Sequence, residues 1–316
     1  MATFAKATFS AASYAIARPS YPKALFNRVL AFHRGQQRLC VDLGSGTGQV
    51  TLEPQLRRTF GKVLGCDPSA AMVARASELA KTSEHTAAGL GAVEFVQGQA
   101  EQLDAIVQPD TVDLVVAGQA GHWFDWPKVW PQIAKALAPG GTYAFWVYSE
   151  FVFTGRPELT ELIVEYTQGD NWPESTRTSD SLGGYWEQPG RYQLTTHLRH
   201  IPEPVGPELV DQTRVHFTGE LFAEYVKEGT AEEVEMRRTT TWEGLEAYLR
   251  TFSSLHTFHE EHPEDKARRV EGVSVHAEGD IVQRFLARVR ERARGSLSDE
   301  TFEIEWPLVI LLGRRQ

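Results

Sequence analysis

A doubly wound α/β fold, with a parallel sheet covered by helices on both faces, is predicted by three observations. Short, nearly uninterrupted apolar runs recur at 39–43, 61–66, 93–96, 111–117 and 142–148, the texture of strands buried on both faces. Amphipathic segments of helical length lie between them, which is the alternation of a parallel sheet. The first run breaks into alternating glycines, Gly44, Gly46 and Gly48, ahead of a helical stretch predicted over 50–60, as a strand-to-helix turn that admits a ligand would.

The glycine turn narrows the ligand. The dinucleotide fingerprint is G-x-G-x-x-G, and Gln49 stands where its last glycine is required. No Lys-Ser/Thr pair follows, which excludes a phosphate-binding P-loop. Asp42, just ahead of the glycines, would repel a pyrophosphate and suits a ligand with an ammonium, a sulfonium and a ribose. The string Asp42-Leu43-Gly44-Ser45-Gly46-Thr47-Gly48 resembles motif I of class I S-adenosylmethionine methyltransferases. The resemblance implies a Rossmann-like, doubly wound seven-stranded sheet with a cap formed by insertions after strand 5. It also implies S-adenosyl-L-methionine as cofactor, S-adenosyl-L-homocysteine as product, and Asp42, Gly44, Ser45 and Gly46 as cofactor contacts.

Composition sets outer bounds. The 316 residues are 41% hydrophobic and 23% charged, enough for a full core. A net charge of −10 argues against nucleic acid or an anionic membrane as partner. Cys40 and Cys66 fall in buried strands and read as reduced thiols. No apolar leader opens the sequence, and the longest apolar run, 307–312, is too short to span a bilayer, so a cytoplasmic monomer or homodimer is expected.

In chain order, the first segment holds Tyr14 and then Arg18-Pro19-Ser20-Tyr21-Pro22, leading into a helix over 23–33. It is either an arm packed on the domain or a lid whose Arg18 meets a cofactor carboxylate. Its similarity to the arm of fungal trans-aconitate methyltransferases favours the lid, with Tyr14, Arg18 and Tyr21 at the cofactor. Strand 61–66 ends at Asp67, where ribose hydroxyls are held in such sheets. Ser69 can cap the next helix, which carries Met72 toward the cofactor and leaves Asp67 available. After strand 93–96, the turn Gln99-Ala100-Glu101 matches the position that meets the adenine edge in the resembled superfamily. Strand 111–117 runs into Gly118-Gln119-Ala120-Gly121-His122-Trp123-Phe124-Asp125. This block is similar to the Ala-His-Trp-Phe-Asp motif of the trans-aconitate group. It implies Gln119 at the cofactor, His122 at the transfer point and Trp123 as a wall. A helix over 127–137 stops at Pro139-Gly140-Gly141, and strand 142–148 brings Trp146, a candidate acceptor contact.

From 151 the texture turns to proline, glycine and aromatics. The string 182–191 ends in Tyr185-Trp186-Glu187-Gln188-Pro189-Gly190-Arg191 and is similar to one in trans-aconitate methyltransferases. It reads as a cap in which Tyr185 and Trp186 shape a pocket and Arg191 neutralises an acid, with Arg177 a weaker second cation. An antiparallel strand is predicted over 209–218, helices over 241–259 and 279–294, and a terminal strand over 302–312 bulged at Pro307. His256, His259 and His262 lack the partners of a metal site, so no metal is expected. Residues 265–269 depart from the family pattern. The organisation expected is an arm and lid over 1–37, a cofactor core over 38–149, a cap with remaining core elements over 150–300 and a last strand over 301–316.

The function expected is O-methylation of a carboxylate on a small organic acid, with His122 and Arg191 at the reaction. A carboxylate needs no base, so positioning and desolvation would carry the rate. Alternatives are a phenolic or thiol acceptor with His122 as base, and a cofactor-binding regulator without turnover.

Overall fold

The computed structural model describes residues 18–82, 86–204, 208–219, 221, 231–294, 297 and 300–316; Tyr14 lies outside them. In chain order the helices are α1 Lys23–Phe32, α2 Pro54–Thr59, α3 Ala70–Leu79, α4 Trp126–Ala136, α5 Thr160–Gln168, α6 Gly190–Thr195, α7 Trp242–Leu249, α8 Ser253–Glu261, α9 Pro263–Lys266 and α10 Ile281–Arg292. The strands are β1 Leu39–Leu43, β2 Lys62–Asp67, β3 Ala92–Gln97, β4 Val112–Gly118, β5 Leu137–Tyr148, β6 Val152–Phe153, β7 Leu209–Phe217, β8 Arg237–Thr240, β9 Phe302–Glu305 and β10 Leu308–Arg315.

The described residues divide into two compact units, one drawn from 20–148, 193–233 and 308–316, the other from 18–19, 149–192 and 234–307. The first contains the seven-stranded sheet, ordered β3-β2-β1-β4-β5-β10-β7. Its first five strands are parallel, and β10 is antiparallel to both β5 and β7. Strand order reverses between β1 and β4, the point where such sheets open a crevice at their carboxyl ends. Side chains of β5 alternate between faces, as period two requires. Tyr143, Phe145 and Val147 pack into the core that holds Trp126, Val129, Trp130 and Ile133 of α4. Trp146, on the opposite face, meets Phe26 of α1 edge-on at 5.9 Å.

The second unit holds a three-stranded antiparallel sheet, β6-β9-β8. Beside it, Tyr166 of α5 stacks on Phe285 of α10 at 4.2 Å. Asp280 and Gln283 form a reciprocal capping box at the start of α10. Arg250 grips the fully buried Asp280 through two hydrogen bonds, 2.7 and 3.2 Å.

Four sequence expectations need correction. The helix expected over 50–60 is helical only from Pro54, whose fixed φ suits the first helical position. The single helix expected over 241–259 is two, because Phe252 takes an extended conformation (φ −71°, ψ 128°) that lays its ring against Tyr248 and Trp186, each at 5.3 Å. The strand expected over 142–148 begins at Leu137, which pairs with Val112 before the Pro-Gly-Gly turn. The bulged strand expected over 302–312 is two strands in two sheets. Pro307 has no N–H to continue a ladder, so β9 ends before it and β10 starts after it.

Candidate functional site

The glycine turn is tied to the neighbouring strand by its own backbone: the N–H groups of Gly44 and Ser45 both donate to the Cys66 carbonyl, at 2.8 and 3.0 Å. Gly44 (φ +68°) runs so close to the loop after β4 that an added Cβ would lie 2.5 Å from the Ala120 Cβ. Gly46 (φ +53°) faces open space, with nothing within 4 Å of such a Cβ. The turn is therefore closed on one side and open on the other.

Two carboxylates stand behind it. Asp42 is buried, and its Oδ2 accepts from Thr51 Oγ1 at 2.6 Å. Among the described residues its Oδ1 has no hydrogen-bond partner, nor has the buried Ser45 Oγ. Burial pushes the Asp42 carboxyl up to about 7, against the Thr51 hydrogen bond and with help from the charge of Asp67. Asp67 accepts from Gly46 N and from Ser69 N, both at 2.8 Å. Burial raises it too, while those two N–H groups hold it down. Each carboxylate oxygen keeps a second acceptor site. Ser69 caps α3 through Met72 N, so the cap and Asp67 are separate as expected. An ammonium facing Asp42, hydroxyls facing Asp67 and an amino-acid backbone along Gly44–Gly46 would satisfy these groups together. The residues present thus fit S-adenosyl-L-methionine.

The surrounding candidates occupy different stations. Met72 is buried on the first turn of α3. Gln99 is exposed, Ala100 is buried, and Glu101 is half-buried with its carboxylate on Asp125 N at 2.9 Å. That contact supports the start of α4. His122 is buried on a single 3-10 turn, Gly121–Trp123, with its ring centroid 4.8 Å from that of the half-buried Trp123. The side-chain amide of Gln119 is engaged by the Tyr148 backbone on both sides, so what it can offer a ligand is its own main chain. Trp146, expected as an acceptor contact, is fully buried behind Gly118 and edge-on to Tyr21 at 5.6 Å. Burial makes it a core residue in this structure.

The other unit holds the remaining candidates. The Arg191 guanidinium lies 3.8 Å over the Trp186 ring and pairs with Glu150, both charged groups being buried. Burial lowers the Arg191 pKa, the Glu150 charge opposes this, and Arg18 lowers it further. Arg18 itself sits over Tyr248 and Phe252, at 5.5 and 5.8 Å. Trp186 donates from Nε1 to the Thr167 carbonyl at 2.6 Å. Tyr185 is only 4% exposed; its hydroxyl lies within hydrogen-bond distance of Thr178 O, at 3.1 Å, and His262 Nε2, at 2.8 Å. It therefore supports this loop from within. Arg177 pairs with Glu261 and faces the Tyr185 ring.

Sequence reasoning missed Thr51, Glu150 and the Gln119–Tyr148 contact. Glu150 left a signal, an isolated acid within the aromatic stretch 143–153. The other two depend on which strands become neighbours and left none.

Among the described residues no helix is long and apolar enough to cross a membrane, and no group of three His, Cys, Asp or Glu side chains is gathered as a metal would need. Cys40 and Cys66 are buried free thiols.

Comparison with known proteins gives a consistent match. The family described as "Methyltransferase domain" matches residues 41–145. The Saccharomyces cerevisiae protein named "Probable S-adenosylmethionine-dependent methyltransferase CRG1" is 35% identical over 160 residues, 50% of this chain and 52% of that one. A candidate methyltransferase of Dictyostelium discoideum is 26% identical over 245 residues, covering 76% and 84%. The Aspergillus terreus methyltransferase pgmE is 27% identical over 148 residues, covering 45% and 42%. The chain thus spans about half the length of CRG1 and less of pgmE. Among solved structures, that of a candidate type II methyltransferase from Anaeromyxobacter dehalogenans superposes with a TM-score of 0.62 at 20% identity, over 94% of this chain and 97% of that one. This last likeness concerns the fold.

Proposed function

We propose that the protein is a class I S-adenosylmethionine-dependent methyltransferase, a reading supported by the methyltransferase-domain match over residues 41–145 and the likeness to CRG1, and that it methylates a carboxylate oxygen of a small organic acid. The products would be a methyl ester and S-adenosyl-L-homocysteine. The bound cofactor supplies an electrophilic methyl on a sulfonium. The chain's own residues bind and orient: Asp42 and Ser45 the amino-acid portion, Asp67 the ribose, and the turn at Ala100 the adenine.

The observation that carries the acid reading is Arg191 bedded on Trp186 with Glu150 fixing one side. A guanidinium presents a planar fork that matches a carboxylate, and the aromatic face beneath holds that fork in place. Glu150 keeps the cation oriented, and an incoming carboxylate would share the guanidinium with it. An ionised acid attacks without a base, so proximity and the exclusion of water would do most of the work.

His122 beside the glycine turn favours a second reading, a phenol or thiol acceptor whose proton His122 takes. Labelled S-adenosyl-L-methionine with a panel of aconitate isomers, furan and aromatic dicarboxylates, a phenol and a thiol separates the two by mass spectrometry. The expected product is a base-labile monomethyl ester, lost in Arg191→Ala while cofactor binding persists. Methylation of the phenol or thiol alone would replace the acid reading.

A further inference from the structure

We propose that Gln119 is a positioning residue: its side chain acts as one more rung of the sheet and thereby sets the loop that carries His122. The proposal rests on the methyltransferase reading above. Gln119 follows the last residue of β4 and has φ +54°, a left-handed conformation that few non-glycine residues adopt. Three hydrogen bonds hold it there. Its N–H donates to the Trp146 carbonyl at 2.8 Å. Its Nε2 donates to the Tyr148 carbonyl at 3.0 Å, and its Oε1 accepts from the Tyr148 N–H at 2.8 Å. The amide thus copies the paired donor and acceptor of a strand backbone and extends the β4–β5 register, which ends at Gly118 opposite Trp146.

The consequences lie on either side of this contact. Ala120, the next residue, is the one pressed against Gly44 of the glycine turn. Two residues later the 3-10 turn presents His122. A loop leaving a strand end would ordinarily be free to swing. Here the Tyr148 backbone fixes its first residue, so Ala120 meets Gly44 and His122 emerges at one place. Glutamine combines this reach with a primary amide that donates and accepts at once; its charged isostere, glutamate, only accepts until it is protonated.

That asymmetry provides the test. In Gln119→Glu the carboxylate keeps the Tyr148 N–H but faces the Tyr148 carbonyl with no proton. Protonation restores the donor. Gln119→Met keeps the length and removes both bonds at every pH. Steady-state kinetics from pH 5.5 to 8.5, each variant divided by wild type to cancel titrations common to all three proteins, should show Gln119→Glu lowered about tenfold or more at the alkaline end and recovering toward wild type at the acid end. Gln119→Met should stay low throughout. Calorimetric titration with S-adenosyl-L-homocysteine should change by less than about threefold in both, because Asp42, Asp67 and the Gly44 and Ser45 bonds to the Cys66 carbonyl do not involve the Gln119 side chain. Thermal melting of the variants accompanies the kinetics.

Equal rates in all three proteins would overturn the proposal. So would a Gln119→Glu loss that persists at low pH in a protein melting like wild type, or a fall in homocysteine-adduct affinity that accounts for the whole loss. Failure of the wild type to turn over any acceptor would instead count against the methyltransferase reading, which keeps the two outcomes distinct.

Discussion

Replacing Asp42 by asparagine should make the ligand-free protein more stable and the cofactor site worse. The buried carboxyl has its pKa raised from 3.8 to about 7, mainly by desolvation. A carboxyl raised on folding contributes stability that is fully present below its unfolded value and is lost as pH rises through its folded value. The window here runs from 3.8 to about 7. At pH 8 the folded protein therefore carries an electrostatic cost of about 4 kcal/mol, from roughly three pK units at about 1.36 kcal/mol each. Asparagine removes the charge and still accepts from Thr51. Its NH2 replaces the partnerless Oδ1 and costs about 1–3 kcal/mol of desolvation. The net expectation is about 1–3 kcal/mol of stabilisation at pH 8, a melting temperature higher by a few degrees, and no net gain at pH 5, where only the lower part of that window has been crossed and the cost of the buried NH2 offsets it. Titration with S-adenosyl-L-homocysteine at pH 8 should show about tenfold to hundredfold weaker binding, the worth of a charge-assisted hydrogen bond. Melting curves of ligand-free protein across pH 5–9 provide the check. A variant that melts below wild type at pH 8, or a difference that is the same at pH 5 and pH 8, would refute the assignment of a buried charge to Asp42.

Two further outcomes follow from the geometry. Asp67→Ala removes the acceptor of Gly46 N and Ser69 N together with the proposed site for the ribose hydroxyls, and calorimetry should find the cofactor bound at least about tenfold more weakly. Arg250→Met leaves Asp280 buried and uncompensated at the head of α10, and urea denaturation should show about 3 kcal/mol of lost stability.

How much was legible depends on how local the determinant is. Strands β1 to β5, the glycine turn, Asp67 and the Ser69 cap were readable because each is specified by a handful of adjacent residues. The period of apolar positions, a positive φ and a hydroxyl one step before a helix are all short-range signals. The break at Phe252 was not readable, because the helical spacing of Trp242, Leu245, Tyr248, Phe252 and Leu255 continues across it. Packing of Phe252 on Tyr248 and Trp186 is what overrides the spacing. Trp146 and Tyr185 misled for a related reason. An aromatic residue has the same appearance in a sequence whether it lines a pocket or fills a core, and here neighbours distant in the chain bury both. Arg191 could be singled out in the sequence and its partner could not, since the Glu150–Arg191 pair joins residues 41 apart.

The two strands on either side of Pro307 carry a consequence for biosynthesis. β10 sits between β5 and β7, and β9 between β6 and β8. Neither is an edge, so neither sheet is continuous until residues 302–315 have been made and have left the ribosome. An emerging chain can form β1 to β5 in order, yet it must hold β5 and β7 apart, and β6 and β8 apart, with unpaired backbone waiting for the same short stretch. Such waiting edges are what chaperones shield. Synthesis of that one stretch therefore completes two sheets almost at once, by two strands separated in the message by only the codons of Trp306 and Pro307.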